Sequence, residues 1–145
     1  MTETSVKIMQ CSLANSGIIK IDRIGVGVGV LLYNQAKKIG IGIHILASQA
    51  DSPNPPNPAK FADTAIPHAL KLFGKEGALP PFTVAIAGGA AMSGSPVGAS
   101  VGMKVVEAAK TALAKANIKI KTDQTGGSNI HSMILNIDTG EIQII

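Results

Sequence analysis

Apolar positions in the first third of the chain recur at every second residue, the period of a strand whose two faces differ. Val6–Cys11 and Gly17–Ile21 also read as strands. Two further stretches, Gly25-Val26-Gly27-Val28-Gly29-Val30 and Ile39-Gly40-Ile41-Gly42-Ile43-His44, alternate glycine with β-branched residues and predict a hairpin. With its turn centred near Gln35-Ala36, residue 27 falls opposite residue 44. One face of the hairpin is then Val and Ile. The other is bare backbone carrying a single functional group, His44.

The period changes in the middle of the chain. Asp51–Pro58 contains four prolines and predicts a stiff surface loop, beside the mouth of any site built on the His44 strand. Residues 59–73 predict a helix with Phe61, Ala65, Leu70 and Phe73 on one side, kinked or divided at Pro67. Thr83–Ala87 is a short apolar strand entering a turn at Gly88-Gly89. The longest helix, about Gly98–Ala116, buries Val101, Val105, Ala109, Ala112, Leu113 and Ala116 and turns Lys104, Lys110 and Lys115 to water. Asn117–Thr122 alternates as a half-exposed strand. A hairpin, Ser132–Ile137 and Glu141–Ile145, turns at Asp138-Thr139-Gly140. Strands at both ends with helices between them predict an α+β fold.

Composition narrows the function classes. The chain has 145 residues, the size of a single domain (1–145) with a sizeable core. Hydrophobic residues make up 46% and charged residues 15%, which excludes a disordered chain. Aromatics are 3%, so the core is built from Ile, Val, Leu and Ala. The net charge is +4, with basic residues scattered apart from Lys37-Lys38 and Lys119-Ile120-Lys121. That pattern lacks the aromatic-interleaved basic patch of a nucleic-acid binder, and it suits an acidic protein partner. One cysteine excludes an intrachain disulfide, and three scattered histidines without carboxylates at ligand spacing point to no metal site. No cofactor motif is present: the G-x-G within residues 25–29 lacks the following helix of a dinucleotide fingerprint. A polar start and the lack of a long apolar run predict a cytoplasmic chain without membrane insertion.

Several ordered pieces carry a family resemblance. Gly25–Asn34 followed by His44 resembles CheD, the chemoreceptor glutamine deamidase of bacterial and archaeal chemotaxis, whose strand reads roughly G-S-C-V-x-V-x-L-Y-D. Lys60-Phe61-Ala62-Asp63-Thr64-Ala65-Ile66-Pro67 resembles its K-Y-x-D-x-A-I-P segment, and Gly88-Gly89-Ala90-Ala91-Met92 its G-G-A-x-M turn. Val97-Gly98 is similar to its I-G pair. Thr125-Gly126-Gly127 and Thr139-Gly140 are similar to its T-G-G and T-G. The likeness implies a layered helix and β-sheet sandwich of the CheD-type cysteine hydrolases, with the glycine-rich hairpin forming the site. It also implies acyl transfer from a glutamine side chain to a cysteine paired with a histidine. The family's histidine then falls at His44, its cysteine position at Gly27 and its active-site threonine at Ile21. Gly88, Gly89, Thr125, Gly126 and Gly127 become the rim of the substrate cleft. Val101, Gln124 and the pair Ile130-His131 stand where the family has an asparagine, an aspartate and G-R.

By its residues alone, His44 is either a partly buried structural histidine or a retained catalytic one. The hairpin glycines either open a site or give a neighbouring element room to pack. Cys11 is the one thiol, and Ser93, Ser95 and Ser100 are hydroxyls near the Gly88-Gly89 turn; His68 and His131 take no role. The resemblance implies a CheD-like chemotaxis protein that is catalytically impaired and binds chemoreceptor helices or a CheC-like phosphatase. The alternatives are an active protein-glutamine deamidase using a non-standard nucleophile, such as Cys11 or a serine, and a scaffolding domain unconnected with chemotaxis.

Overall fold

The alternating segments do form strands, and they divide between two sheets. The computed structural model describes residues 2–90 and 96–145, with side chains for residues 2–90 and 101–145. A five-stranded sheet runs β2-β5-β4-β6-β7, formed by β2 (Cys11–Ala14), β4 (Val28–Asn34), β5 (Ile39–Ile45), β6 (Thr83–Gly88) and β7 (Thr122–Thr125). A four-stranded sheet runs β1-β3-β8-β9, formed by β1 (Glu3–Val6), β3 (Ile18–Ile24), β8 (His131–Asn136) and β9 (Ile142–Ile144). Helices α1 (Ala62–Lys75) and α2 (Pro96–Lys115) complete the mixed α+β arrangement.

The five-stranded sheet is the middle layer. Val28, Val30 and Leu32 of β4 pack with Ile66 and Phe73 of α1 and with Val106 and Leu113 of α2. Leu31 and Tyr33, on the other face, pack with Ile19, Ile21, Ile24 and Met133 of the four-stranded sheet. A strand covered on both sides reads as a continuous apolar run, and every residue of β4 is buried.

Several boundaries differ from the sequence reading. Val6–Cys11 is not one strand: the chain turns there, with Met9 at a positive φ of 64°, and β1 and β2 enter different sheets. Gly25–Gly27 form a bend, and β4 begins only at Val28. The helix expected over residues 59–73 is a 3-10 turn (Pro58–Lys60) followed by α1, which continues through Pro67. The missing proline N–H deprives only the carbonyl of Asp63, an exposed residue of the first turn, so the helix is not divided. The strand expected over Asn117–Thr122 starts at Thr122, because Asn117 (φ 59°) and Ile118 close α2, the latter donating its N–H to the Leu113 carbonyl at 3.0 Å. Val101 is 46% exposed, outside the buried stripe formed by Val105, Val106, Ala109 and Leu113.

Candidate functional site

The β4–β5 ladder places Gly29, not Gly27, opposite His44. The turn therefore centres one residue later than the sequence suggested, between Asn34 and Ile39, which pair across it. Asn34 sets this register: its Oδ1 accepts the Lys37 N–H at 2.7 Å, folding residues 35–38 into the loop. Gly27 is still a diagonal neighbour of the histidine. A Cβ placed on Gly27 would stand 3.8 Å from His44 Cδ2, but only 2.5 Å from the Ile45 carbonyl oxygen. The position is thus filled by backbone on one side.

The glycine face is not bare either; the four-stranded sheet lies on it. A Cβ on Gly40 would come within 2.6 Å of Ile137 Cδ1 and Leu135 Cδ2. One on Gly42 would stand 2.8 Å from Ile19 Cγ2, 2.9 Å from Val6 Cγ2 and 3.4 Å from Ile21 Cδ1. Gly29 abuts Ile24 and Met133 in the same way. These glycines let two sheets approach closely, the packing reading of the alternation. Ile21 is fully buried over Gly42, one step along β5 from His44 on the same face.

His44 sits in this seam at 4% exposure. Its backbone is held by the β1–β2 turn: Met9 N–H donates to its carbonyl at 2.8 Å, and its own N–H donates to the Gln10 carbonyl at 3.0 Å. Among the described residues, nothing hydrogen-bonds to its buried Nδ1. Burial disfavours the imidazolium and holds the ring below its ordinary pKa. At neutral pH it is an uncharged, buried base.

The other residues singled out in the sequence converge on the same end of the sheet. Gly89 N–H donates to the Gly27 carbonyl at 2.9 Å, Ala90 N–H to Gly25 at 3.0 Å, and Gly126 N–H to Gly88 at 2.9 Å. Gly88 and Gly89 have φ of 119° and 69°, and a side chain on Gly88 would collide with the Gly27 carbonyl oxygen. Thr125 pairs with Gly88 in the parallel β6–β7 ladder, while a Cβ on Gly127 would meet nothing within 4 Å among the described residues. Ala91, Met92, Ser93 and Ser95 lie outside the described residues, as does the side chain of Ser100.

One cluster was missed in the sequence. Asp123 accepts hydrogen bonds from the Thr125 hydroxyl at 2.6 Å and its N–H at 3.1 Å, and pairs with Lys110 of α2 at 2.8 Å. Burial pushes its carboxyl pKa up, but the hydrogen bonds from Lys110 and Thr125 and the Lys110 charge outweigh this and hold it below the ordinary value. The Asp-x-Thr spacing is a local turn signal. The Lys110 partner needed the fold. The proline loop also reaches this end: Asn57 Nδ2 donates to the Met9 carbonyl at 3.0 Å.

Cys11 does not join the site. It pairs with Ile43 across β2–β5, shares that residue's face and packs on the helix side. The imidazole of His44 lies on the opposite face. Burial pushes the Cys11 thiol up to about 12, leaving it protonated at neutral pH. Among the described residues no three His, Cys, Asp or Glu side chains gather as a metal site, and no helix is long and apolar enough to cross a membrane.

A family model described as CheD chemotactic sensory transduction matches residues 45–145. The matched stretch begins immediately after His44. The probable chemoreceptor glutamine deamidase CheD of Methanococcus vannielii is 35% identical over 123 residues, covering 83% of this chain and 80% of that protein. The protein of the same name from Clostridium novyi is 36% identical over 132 residues, covering 86% and 82%. That of Clostridium botulinum (strain Alaska E43 / Type E3) is 33% identical over 150 residues, covering 99% and 92%.

Proposed function

This chain belongs to the CheD family of chemotactic sensory transduction proteins, and from that premise we propose that it works by binding rather than by deamidating glutamine. It is a homologue of probable chemoreceptor glutamine deamidases. In this reading it is a catalytically impaired member in the cytoplasm. Its partner is a chemoreceptor helix or a CheC-like phosphatase, received on the rim formed by Gly88, Gly89, Thr125, Gly126 and Gly127.

The chemistry supports this. Deamidation by acyl transfer needs a thiolate to attack the carboxamide carbon, with ammonia leaving and water then releasing glutamate. Loss of the nucleophile from such a unit typically costs roughly 10⁴ to 10⁶ in turnover. The observation that carries the reading is His44: it lies beside Gly27, and its buried Nδ1 meets no hydrogen-bond partner among the described residues. Ile21, where the resemblance puts a threonine, is fully buried and adds no hydroxyl. The hydrogen bonds from Gly89 to Gly27 and from Gly126 to Gly88 hold the rim together through backbone groups alone. The alternative with Cys11 as nucleophile gains no support, since its thiol is on the far face of the sheet from the imidazole.

The test pairs capture with mass measurement. A glutamine-bearing chemoreceptor fragment should be retained by the protein, or a CheC-like phosphatase should be, and the fragment's mass should stay unchanged after prolonged incubation. A cysteine-bearing family member serves as the positive control. Amide-to-acid conversion by this protein, or failure to retain either partner, would sink the proposal.

A further inference from the structure

We propose that the end of the five-stranded sheet remote from His44 is a second docking surface, which takes an acidic, leucine-bearing segment of a protein partner. Three pieces of chain emerge there side by side: the β4–β5 loop, residues 79–82 entering β6, and residues 117–121 entering β7. Two adjoining grooves of about 430 and 450 Å³ flank the ridge Pro80-Pro81-Phe82, one bounded by Gln35 and Leu79 and the other by Ile118 and Lys119.

The ridge is braced from behind. Phe82 stacks on Phe73 of α1 with ring centroids 4.7 Å apart, and Asn34 Nδ2 donates to the Leu79 carbonyl. Leu79 is nonetheless 71% exposed, so an anchored backbone holds a large aliphatic side chain out in water. Lys119 lines the second groove, Lys37 and Lys38 lie in the β4–β5 loop and Lys121 directly precedes β7, so four exposed lysines share this end of the sheet. Among the described residues, the two ion pairs are Lys20–Asp22 and Lys110–Asp123, so none of these four is paired. Glu76 lies just beyond α1, and Asp138 and Glu141 lie at the β8–β9 turn of the other sheet. None of them forms an ion pair with the four lysines.

Like charges at one end of a sheet without partners repel one another, and an exposed leucine on a braced ridge leaves apolar surface in water. A segment with carboxylates flanking an aliphatic side chain relieves both. A nucleic acid supplies the charge but not the apolar contact.

Fluorescence anisotropy with a labelled peptide of alternating glutamate and leucine tests this. The protein should bind it, and the combined substitution Lys37→Glu, Lys38→Glu and Lys119→Glu should weaken binding by about tenfold or more. Leu79→Ser should weaken it by about fivefold through loss of one apolar contact. All four side chains are exposed, so the variants should fold. Absence of binding by the unmodified protein, indifference to Leu79→Ser, or equal affinity for single-stranded DNA of matched charge would overturn the proposal. Retention of the chemoreceptor or CheC-like partner should survive the lysine substitutions. Its loss would mean that there is one surface and not two.

Discussion

Cys11 lies directly across the β2–β5 ladder from Ile43, the residue before His44, and the thickness of the sheet separates thiol from imidazole. One step of strand register is enough to put the two groups on opposite faces. The thiol packs against the apolar core on the helix side, and burial pushes its pKa up to about 12 from an ordinary 9.0. Its thiolate fraction at neutral pH should be about 10³ lower than that of an ordinary cysteine. Iodoacetamide should therefore label the native protein very slowly at pH 7 and at the ordinary rate once it is unfolded. Fast native labelling would restore Cys11 as a candidate nucleophile.

His44 makes stability depend on pH. Its folded pKa is depressed below 6.5, so the unfolded chain binds the extra proton first as pH falls. The contribution is fully present above 6.5 and is lost as pH drops from there through the lower folded value. Urea unfolding followed across this window should show falling stability for the unmodified protein. The His44→Leu variant should lack that component and gain about 1 kcal/mol at neutral pH, because an unpaired buried nitrogen is removed. An unchanged pH profile in the variant would mean that the ring is hydrated.

Placing a side chain at residue 27 should carry a cost. The Ile45 carbonyl oxygen stands 2.5 Å from where the new Cβ must go, and backbone cannot rotate away as a side chain can. Gly27→Cys, made with Cys11→Ser, should destabilise the fold by roughly 1–3 kcal/mol. Beside His44, the new thiol should react with alkylators faster than Cys11 does. Unimpaired stability would show that the strand end relaxes freely.

The hairpin glycines and the helical glycine should answer oppositely to alanine. Gly42→Ala drives a methyl to within 2.8 Å of Ile19 and 2.9 Å of Val6, and should cost about 1–3 kcal/mol by pushing the sheets apart. Gly74→Ala in α1 meets nothing within 4 Å, and should gain about 0.5–1 kcal/mol from the lower entropy of the unfolded chain. Thermal denaturation of the pair separates close packing from chain flexibility as the reason for the glycines.

The sequence by itself determined the features that local physics controls. Alternation of glycine with β-branched residues marked β5, the turn at Asp138-Thr139-Gly140 marked the hairpin holding β8, helical spacing marked α1 and α2, and glycine at Gly88-Gly89 and Thr125-Gly126-Gly127 marked turns. The ordered motifs carried the family. Only the tertiary structure decided what those features face. A strand pattern states that two sides differ, but not what covers each one, so the glycine side of β5 looked open although Ile19, Ile21 and Val6 fill it. Register was equally hidden, because it hangs on the Asn34 side chain closing the loop through Lys37, and a shift of one residue in the turn centre moved the partner of His44 from Gly27 to Gly29. The Lys110–Asp123 pair joins a helix to a strand 13 residues apart in sequence, and no local pattern reports such a contact. Side-chain periodicity is written along the chain, whereas burial is a property of what other segments bring to the same place.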